Sequence, residues 1–562
     1  MSNKLNREIG QPWEKWCVPI VVGVTGHRDI PLEDIPKLEA SVSDQLACFE
    51  NKYRHSRYVL LTGLAEGADR LVARCAIARG WSLGGVLALP RAEFEADFST
   101  AASVAEFRDL LSRCDRVEEV APAGHSRPEC YELVGEWISI HAQCLIALWD
   151  GTDNGKKGGT ADVVKLFREG RPKPKPVLPD TGPVIQIVTR RQSGVPAVDA
   201  RTVGETKRLA PNPLGLSDPE KEEERWAEVL VRIDSFNKVA RDHRESDFSK
   251  TRQYLNANQL LLDSILPGSA RNASWLFAIA DHMAGSLQKK RDRLFLLVLV
   301  LAIAGLGLEK FYSGLSDGIG WPGGVWLLCA LACGTLALLF ANVPLFFRET
   351  DYMDYRSLAE ACRVQYFWKR LGIKDCVADF HLFAQRDELE WIRQAIRTTE
   401  LGPNSSQAPA GQVLMEEVLC CWVKDQRKFY LRRYEDHKRD ARFLNALALW
   451  LFCLGGLAMV ATLVLHVSGA DAFIKWAQFS YGMLLTLSVT TKVYLFTKGH
   501  EEHARSYLRA DQSMQVAEKV ISERPDEPTA KEMFHGLGKA ALDENGDWLL
   551  LHRDRLIEPP IG

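Results

Sequence analysis

The chain has few paired cysteines. None of its 13 cysteines forms a CxxC pair. The nearest neighbours are the adjacent Cys420 and Cys421, and Cys329 and Cys333, spaced as helix neighbours in an apolar run. A disulfide framework and a zinc ribbon are excluded, and a reducing compartment is expected. No excess charge of either sign is present: 70 Lys and Arg stand against 73 Asp and Glu, a net of −3. That excludes an overall basic nucleic-acid binder and an acidic disordered chain, so no nucleic-acid partner is expected. Residues 1–16 contain no apolar run, so no cleaved signal peptide is expected.

The chain is rich in apolar segments set apart from polar blocks, although its mean hydropathy is only −0.14. Residues 294–308 carry no charge over 15 positions, 325–347 none over 23 and 443–467 none over 25; 476–496 has one lysine, Lys492, in 21. A bilayer span needs about 17–25 apolar residues. Four membrane helices are expected, over 294–312, 325–347, 443–467 and 476–496. The first is completed by interfacial Phe311 and Tyr312, and Lys492 snorkels at the end of the fourth. Lys289, Lys290, Arg291 and Arg293 precede the first span, and the block 348–442 holds 17 Lys and Arg. The short loops 309–324 and 468–475 hold one lysine each. The positive-inside rule then puts both termini and the 348–442 block in the cytoplasm, in a multi-pass inner-membrane protein. The motif Lys290-Arg291-Asp292-Arg293-Leu294-Phe295 returns 148 residues later as Lys438-Arg439-Asp440-Ala441-Arg442-Phe443, which suggests a parallel repeat of two hairpins.

Residues 1–189 read as an α/β domain. Apolar runs at 19–24, 58–61, 83–89, 145–149 and 184–188 alternate with helical patterns such as 66–79. That alternation predicts a doubly wound, Rossmann-like parallel sheet. The proline-rich stretch 171–183 is an expected surface loop, and 190–222, poor in apolar pattern, an expected linker. Cytoplasmic helices and the first hairpin follow over 223–372, a cytoplasmic helical region with the SSQAPAG tract (405–411) over 373–437, the second hairpin and a helix over 438–523, and a tail over 524–562.

Three glycine turns follow predicted strands. The first holds Thr25, Gly26, His27 and Arg28, and the second Gly63, Glu66, Gly67 and Asp69. The third runs from Asp150 through Lys156 and Lys157 to Gly158, Gly159, Thr160 and Asp162. Glycine lets backbone N–H groups approach a phosphate, and a helix N-terminus favours an anion. In an open α/β sheet such turns converge on one ligand crevice. These residues are the candidate ligand site. A capping role for Asp162 and dipole roles for Glu66 and Asp69 remain open beside it.

The motifs GVTGHR, TGLAEGADRLVA, LALP, LIALWDG and GGTADVV resemble the SLOG superfamily, which includes LOG-type nucleotide phosphoribohydrolases, DprA-like proteins and the sensory domains of TRPM channels. The stretch DYRSLAEACRVQYFW after the first hairpin resembles SLATT two-helix effector domains. The resemblance implies a bacterial conflict system in which a nucleotide-derived or cyclic-nucleotide signal is sensed and a membrane pore opens. LOG-type hydrolases carry GGxGTxxE. Here Gly159-Thr160 matches the GT pair, but Val163 stands at the glutamate position and Asp162 one place early. A helix turns about 100° per residue, so binding without turnover is expected, with no catalytic residue and no metal. The leading expectation is a homo-oligomeric ligand-gated pore in contact with lipid. The alternative is a membrane-tethered nucleotide hydrolase or transferase using Glu66, Asp69 and Asp162. A transporter is the weaker third, because the spans carry no inner Asp or Glu.

Overall fold

The computed structural model describes residues 12–98, 100–120, 124–153, 155–171, 180–193, 202–216, 218–255, 266–315, 323–341, 351–381, 386–402, 412–469, 471–523 and 526–553. Most of the proline-rich loop, the SSQAPAG tract, residues 342–347 of the second expected span and the tail past 553 lie outside the described residues. Contacts divide the chain into two compact units, residues 1–280 with 358–410, and 281–357 with 411–562.

The first unit is built on a seven-stranded sheet: β1 (Ile20–Gly26), β2 (Tyr58–Thr62), β3 (Ser82–Leu87), β4 (Arg116–Glu119), β5 (Cys144–Trp149), β6 (Val184–Val188) and β7 (Thr206–Leu209), ordered β4-β3-β2-β1-β5-β6-β7. All pairings are parallel except β6–β7. The inner strands are buried throughout or nearly so, as a sheet covered on both faces requires. Between them run α1 (Ile35–Lys52), α2 (Ala68–Ala78), α3 (Arg91–Glu95), α4 (Ala101–Ser112), α5 (Arg127–His141) and α6 (Thr160–Glu169). Helix α1 buries Leu38, Val42 and Leu46, four residues apart and so on one stripe. On β1, a Cβ at Gly23 would meet Ile138 of α5, whereas one at Gly26 would meet Ala68 of α2. Positions three apart in a strand face opposite ways, so α2 and α5 cover opposite faces.

Two strands were not expected. β4 reads RVEE and β7 reads TKRL, and both lie at sheet edges. Edge strands carry charge that discourages further pairing, and that charge hides them from an apolar-run criterion. The expected linker 190–222 is therefore corrected: it contributes β7 to the sheet. It also contains the start of α7 (Pro219–Ala240), whose first turn is capped by Asp218 accepting the Glu220 N–H at 3.1 Å. Helix α8 (Glu245–Arg252) follows.

Downstream lie α9 (Gly268–Leu315), α10 (Gly323–Ala341), α11 (Asp351–Arg370), α12 (Arg386–Thr398), α13 (Gln412–Val418), α14 (Asp425–Ser468), α15 (Asp471–Lys498), α16 (His500–Glu523) and α17 (Glu527–Arg553). The division between the units falls inside α9 and again inside α11. Within the second unit two helices each fold back on an earlier one. α11 returns to α9, with Arg356 on Asp281 at 2.5 Å and Arg291 4.8 Å from the Tyr352 ring. α16 returns to α14, with Arg427 on Asp511 and Glu518 at 3.1 and 2.6 Å.

Among the described residues two helices, not the expected four, are long and apolar enough to cross a membrane: Gly268–Phe311 and Leu414–Ser468, with peak mean hydropathies of 2.2 and 2.3. Only 6% and 11% of those apolar windows are buried, so these are not the core helices of a globular unit. The second expected span falls short because its described apolar stretch is Val325–Ala337. The fourth is long enough as α15, but Gln478, Ser480, Thr486, Ser488, Thr490, Thr491 and Lys492 dilute its apolar character.

Candidate functional site

The candidate residues meet at the C-terminal edge of the sheet. Connections leave β1 toward β2 and β5 toward β6, in opposite directions, and β1 and β5 are neighbours. This is the switch point at which open α/β sheets form a crevice. Thr25 and Gly26 end β1, Gly63 follows β2, Asp150 follows β5, and Thr160 opens α6.

His27 and Asp150 clamp this edge shut from behind. The His27 N–H donates to Leu148 O and the Asp150 N–H donates to His27 Nε2, both at 3.0 Å. Nε2 is thus an acceptor and the ring proton sits on Nδ1. His27 is 4% exposed, and burial lowers its pKa, so it is neutral at pH 7. Burial would raise the Asp150 pKa. The Thr152 hydroxyl and N–H, at 2.6 and 2.9 Å, together with the neighbouring His27 and Arg191, hold it below the usual range. Arg191 Nε reaches the other Asp150 oxygen at 3.0 Å. The segment after β6 is a rim of this site: Arg190 binds Asp34, Arg191 binds Asp150, and Ser193 donates to Asp29.

Glu66 and Asp162 are also committed. Glu66 accepts the hydroxyl of Ser103 on α4, which itself bonds the buried Arg70. Asp162 reaches back along α6 to accept the Gly158 N–H at 2.8 Å, closing the turn that starts the helix. Gly158 has φ +69°, and a Cβ there would lie 2.8 Å from the Glu132 backbone nitrogen of α5. The Gly159 N–H donates to Lys156 O at 3.0 Å. Lys157 is paired with Glu132 at 2.7 Å, so its charge is held at the α5 side of the loop.

Three features face outward. Arg28 is exposed, with its guanidinium 4.7 Å from the centre of the Tyr131 ring. Beside it the N-terminus of α2 starts at Gly67, and that of α6 at Gly159. Asp69, in the first turn of α2, has its pKa pushed up to about 6 by burial, against the Ala65 and Gly63 N–H groups and the charges of Arg28 and Arg70. A fixed guanidinium beside two helix N-termini suits an anion, and a carboxyl titrating near neutrality suits a hydroxyl or a proton transfer. Among the described residues no three metal donors converge here. Tyr131, Arg191 and Ser103 were not foreseen. Tyr131 lies in an ordinary helical pattern and Arg191 in the expected linker, so neither carried a local signal. No family model matches the chain and no curated protein matches it.

Asp69 yields a signed prediction. Its folded pKa, about 6, lies above the unfolded value of about 3.9. Folding is therefore most favoured below pH ~4, and that contribution is lost as pH rises to about 6, up to ~2–3 kcal/mol. Asp69→Asn mimics the neutral acid. It should raise the melting temperature at pH 7.5 and leave it nearly unchanged at pH 4. Equal shifts at both pH values would mean the carboxyl is not held above its ordinary range.

Proposed function

We propose that the chain is a membrane-embedded sensor and effector, of the kind its resemblance to SLOG and SLATT domains implies. The α/β unit binds a nucleotide-derived anion, and the helical unit forms or gates a pore in a bacterial defence response. The observation that carries this reading is the pair of long apolar helices whose windows are almost wholly unburied; such surface is stable in lipid and not in water. The crevice supports the sensing half through Arg28 and the two helix N-termini. For the pore to respond, the ligand must bind one arrangement of the helices better than another.

In this reading four helices span the inner membrane, with both termini cytoplasmic. α10 and α15 run beside the two apolar helices: Phe311 lies 5.1 Å from Trp326 of α10 and 6.3 Å from Phe479 of α15, and Phe295 lies 5.9 Å from Tyr494. Ser488 of α15 donates to Ala448 O of α14 at 2.7 Å and Lys492 to Asn445 at 2.5 Å, and the Ser480, Thr490 and Thr491 hydroxyls donate to carbonyls of their own helix, which satisfies most of the polar groups that lower the hydropathy of α15. Phe473, Trp476, Val489 and Phe496 of α15 face outward. Trp450, Phe452 and Leu457 of α14 are exposed too, offering surface to lipid or to further copies in a homo-oligomer.

Two measurements test this reading. Thermal shift against a panel of nucleotides and cyclic nucleotides should find one that stabilises by about 2.7 kcal/mol at 100 times its Kd, with the shift lost in Arg28→Ala. Reporter fusions after residues 312, 348 and 466 and at the C-terminus should read outside, inside, outside, inside. An inside signal after 312 would leave α9 uncrossed and end the pore reading.

A nucleotide hydrolase is the second reading, favoured by the Asp69 carboxyl titrating near pH 6. All three carboxylates accept hydrogen bonds within the scaffold, Glu66 from Ser103, Asp162 from the Gly158 N–H and Asp69 from the Ala65 N–H, so the raised pKa is what favours Asp69. Release of free base from a nucleotide, lost in Asp69→Asn with membrane potential intact, would establish it instead.

A further inference from the structure

The seam between α14 and α15 holds a cation inside an apolar segment. Polar contacts cross it at two levels: Ser488 meets Ala448 O, and one turn further along α15 the Lys492 ammonium donates to Asn445 Oδ1 at 2.5 Å. With 476–496 as a membrane span, Lys492 lies four residues from its cytoplasmic end, about 6 Å inside. It is nevertheless an exposed side chain.

Two observations set this apart from a lysine that only reaches for water. The partner is neutral, so Asn445 takes one of the three ammonium N–H groups and none of the charge. A charge at this depth that faces lipid is costly without a counter-charge. Arg442 is the second observation. It stands three residues before Asn445 on α14, hence on the same face. It too is exposed, and neither cation forms an ion pair among the described residues. The nearby acids are engaged elsewhere, Asp440 with Arg439 at 3.5 Å and Asp292 with Lys498 at 2.6 Å. Apolar surface adjoins the cations. Val489 and Phe496, three residues before and four after Lys492, share its face and are 63% and 73% exposed. Two cations and an amide beside an exposed apolar strip match one ligand chemistry, a phosphodiester that carries acyl chains.

We propose that an anionic phospholipid of the cytoplasmic leaflet binds the α14–α15 seam, its phosphate held by Lys492, Arg442 and the Asn445 amide N–H and its acyl chains lying along Val489. The site rests on the membrane reading of α14 and α15 and needs neither a pore nor nucleotide sensing. A free phosphate would leave the apolar strip unused. Phosphatidylcholine offers the same phosphate, but its choline charge opposes the two cations.

The test uses the full chain. Insertion into phosphatidylcholine nanodiscs is read first. Native mass spectrometry then follows binding of phosphatidylglycerol, of phosphatidylcholine and of inorganic phosphate. Phosphatidylglycerol should bind more tightly than either comparator. Lys492→Met keeps the chain length and removes the charge; it should weaken phosphatidylglycerol roughly tenfold or more. Arg442→Gln should act in the same direction. Arg293→Gln, at the exposed arginine before the first apolar helix, should leave binding unchanged. Melting curves check folding, and if Lys492→Met is unstable the exposed Arg442→Gln decides. A chain that does not enter the discs would end the membrane reading and this site with it. A chain that enters them but binds both lipids equally would overturn the lipid site alone. So would inorganic phosphate binding as tightly as the lipid, or an equal loss in Arg293→Gln, which would mean a general surface charge. A dimer that retains no lipid would give the seam to a second copy of the chain and overturn it too.

Discussion

Gly67→Ala should destabilise the α/β unit by several kcal/mol, and Gly80→Ala by only about 1. Both glycines have φ +78°, where an L side chain costs roughly 1–2 kcal/mol. At Gly80 nothing lies within 4 Å of the added Cβ. At Gly67 the Cβ would sit 2.5 Å from the carbonyl oxygen of His27 and also against that of Arg28. Neither obstacle yields cheaply, because both are backbone. The Ala68 N–H donates to His27 O at 3.0 Å, and His27 itself is held between Leu148 O and the Asp150 N–H. Relief requires α2 to retreat from the end of β1, which opens the crevice and removes the helix N-terminus from beside Arg28. The Gly67 variant should therefore also lose the nucleotide-dependent thermal shift, which Gly80→Ala keeps. Chemical denaturation of the two variants measures the comparison. Equal losses would mean that the close approach of β1 and α2 contributes nothing beyond the φ penalty.

Gly455→Leu should abolish the depolarising activity expected of the effector, whereas Gly456→Leu should leave it near wild type. The two are neighbours in an apolar run, and both are candidates for close helix contact on sequence grounds. A Cβ at Gly455 would lie 3.1–3.2 Å from the Leu485 side chain and 3.5 Å from Leu484, whereas at Gly456 nothing lies within 4 Å. Leucine at 455 must push α15 off α14, and the Ser488–Ala448 hydrogen bond lies two helical turns away along the same seam. In lipid no hydrophobic effect rejoins the helices; close packing and such hydrogen bonds hold them. Two readouts separate packing from function. Cysteines at 448 and 488 (Ala448→Cys with Ser488→Cys) should cross-link efficiently in the parent and the Gly456 variant but poorly with Gly455→Leu. A potential-sensitive dye then reports the activity. Normal cross-linking and activity in the Gly455 variant would remove the α14–α15 seam from the mechanism.

The amino-acid pattern by itself determined the inner strands and the apolar helices. A strand buried on both faces must be a short apolar run, and a helix long and apolar enough to cross a membrane is a long one, so β1, β2, β3, β5 and β6 and the helices α9 and α14 were legible from hydropathy alone. The glycine turns were legible for a related reason: a strand passing into a helix through a tight turn needs backbone that glycine readily allows, and Gly67 and Gly158 do have positive φ. What escaped the pattern is what depends on a partner distant in the chain. β4 and β7 are strands because a neighbouring edge offers them hydrogen bonds, not because their residues are apolar. The converse holds for α15, which the pattern counted as a span and whose glutamine, serine, threonine and lysine groups leave it short of that among the described residues.

The division of labour within the crevice was settled only in three dimensions. His27, Glu66, Asp150 and Asp162 looked equivalent to Arg28 and Asp69 as polar residues in glycine turns. Tertiary structure gives the first four to the scaffold, because His27 meets the Asp150 N–H, Glu66 meets Ser103 and Asp162 meets the Gly158 N–H. Asp69 is buried as well and accepts the Ala65 N–H at 3.3 Å, with its pKa raised, so that Arg28, over Tyr131, is the one exposed side chain of the six. Residue type and spacing fix which groups can reach a sheet edge. Which of them remain available to a ligand depends on hydrogen-bond partners 4 to 123 residues away, and only the folded chain brings those within 3 Å.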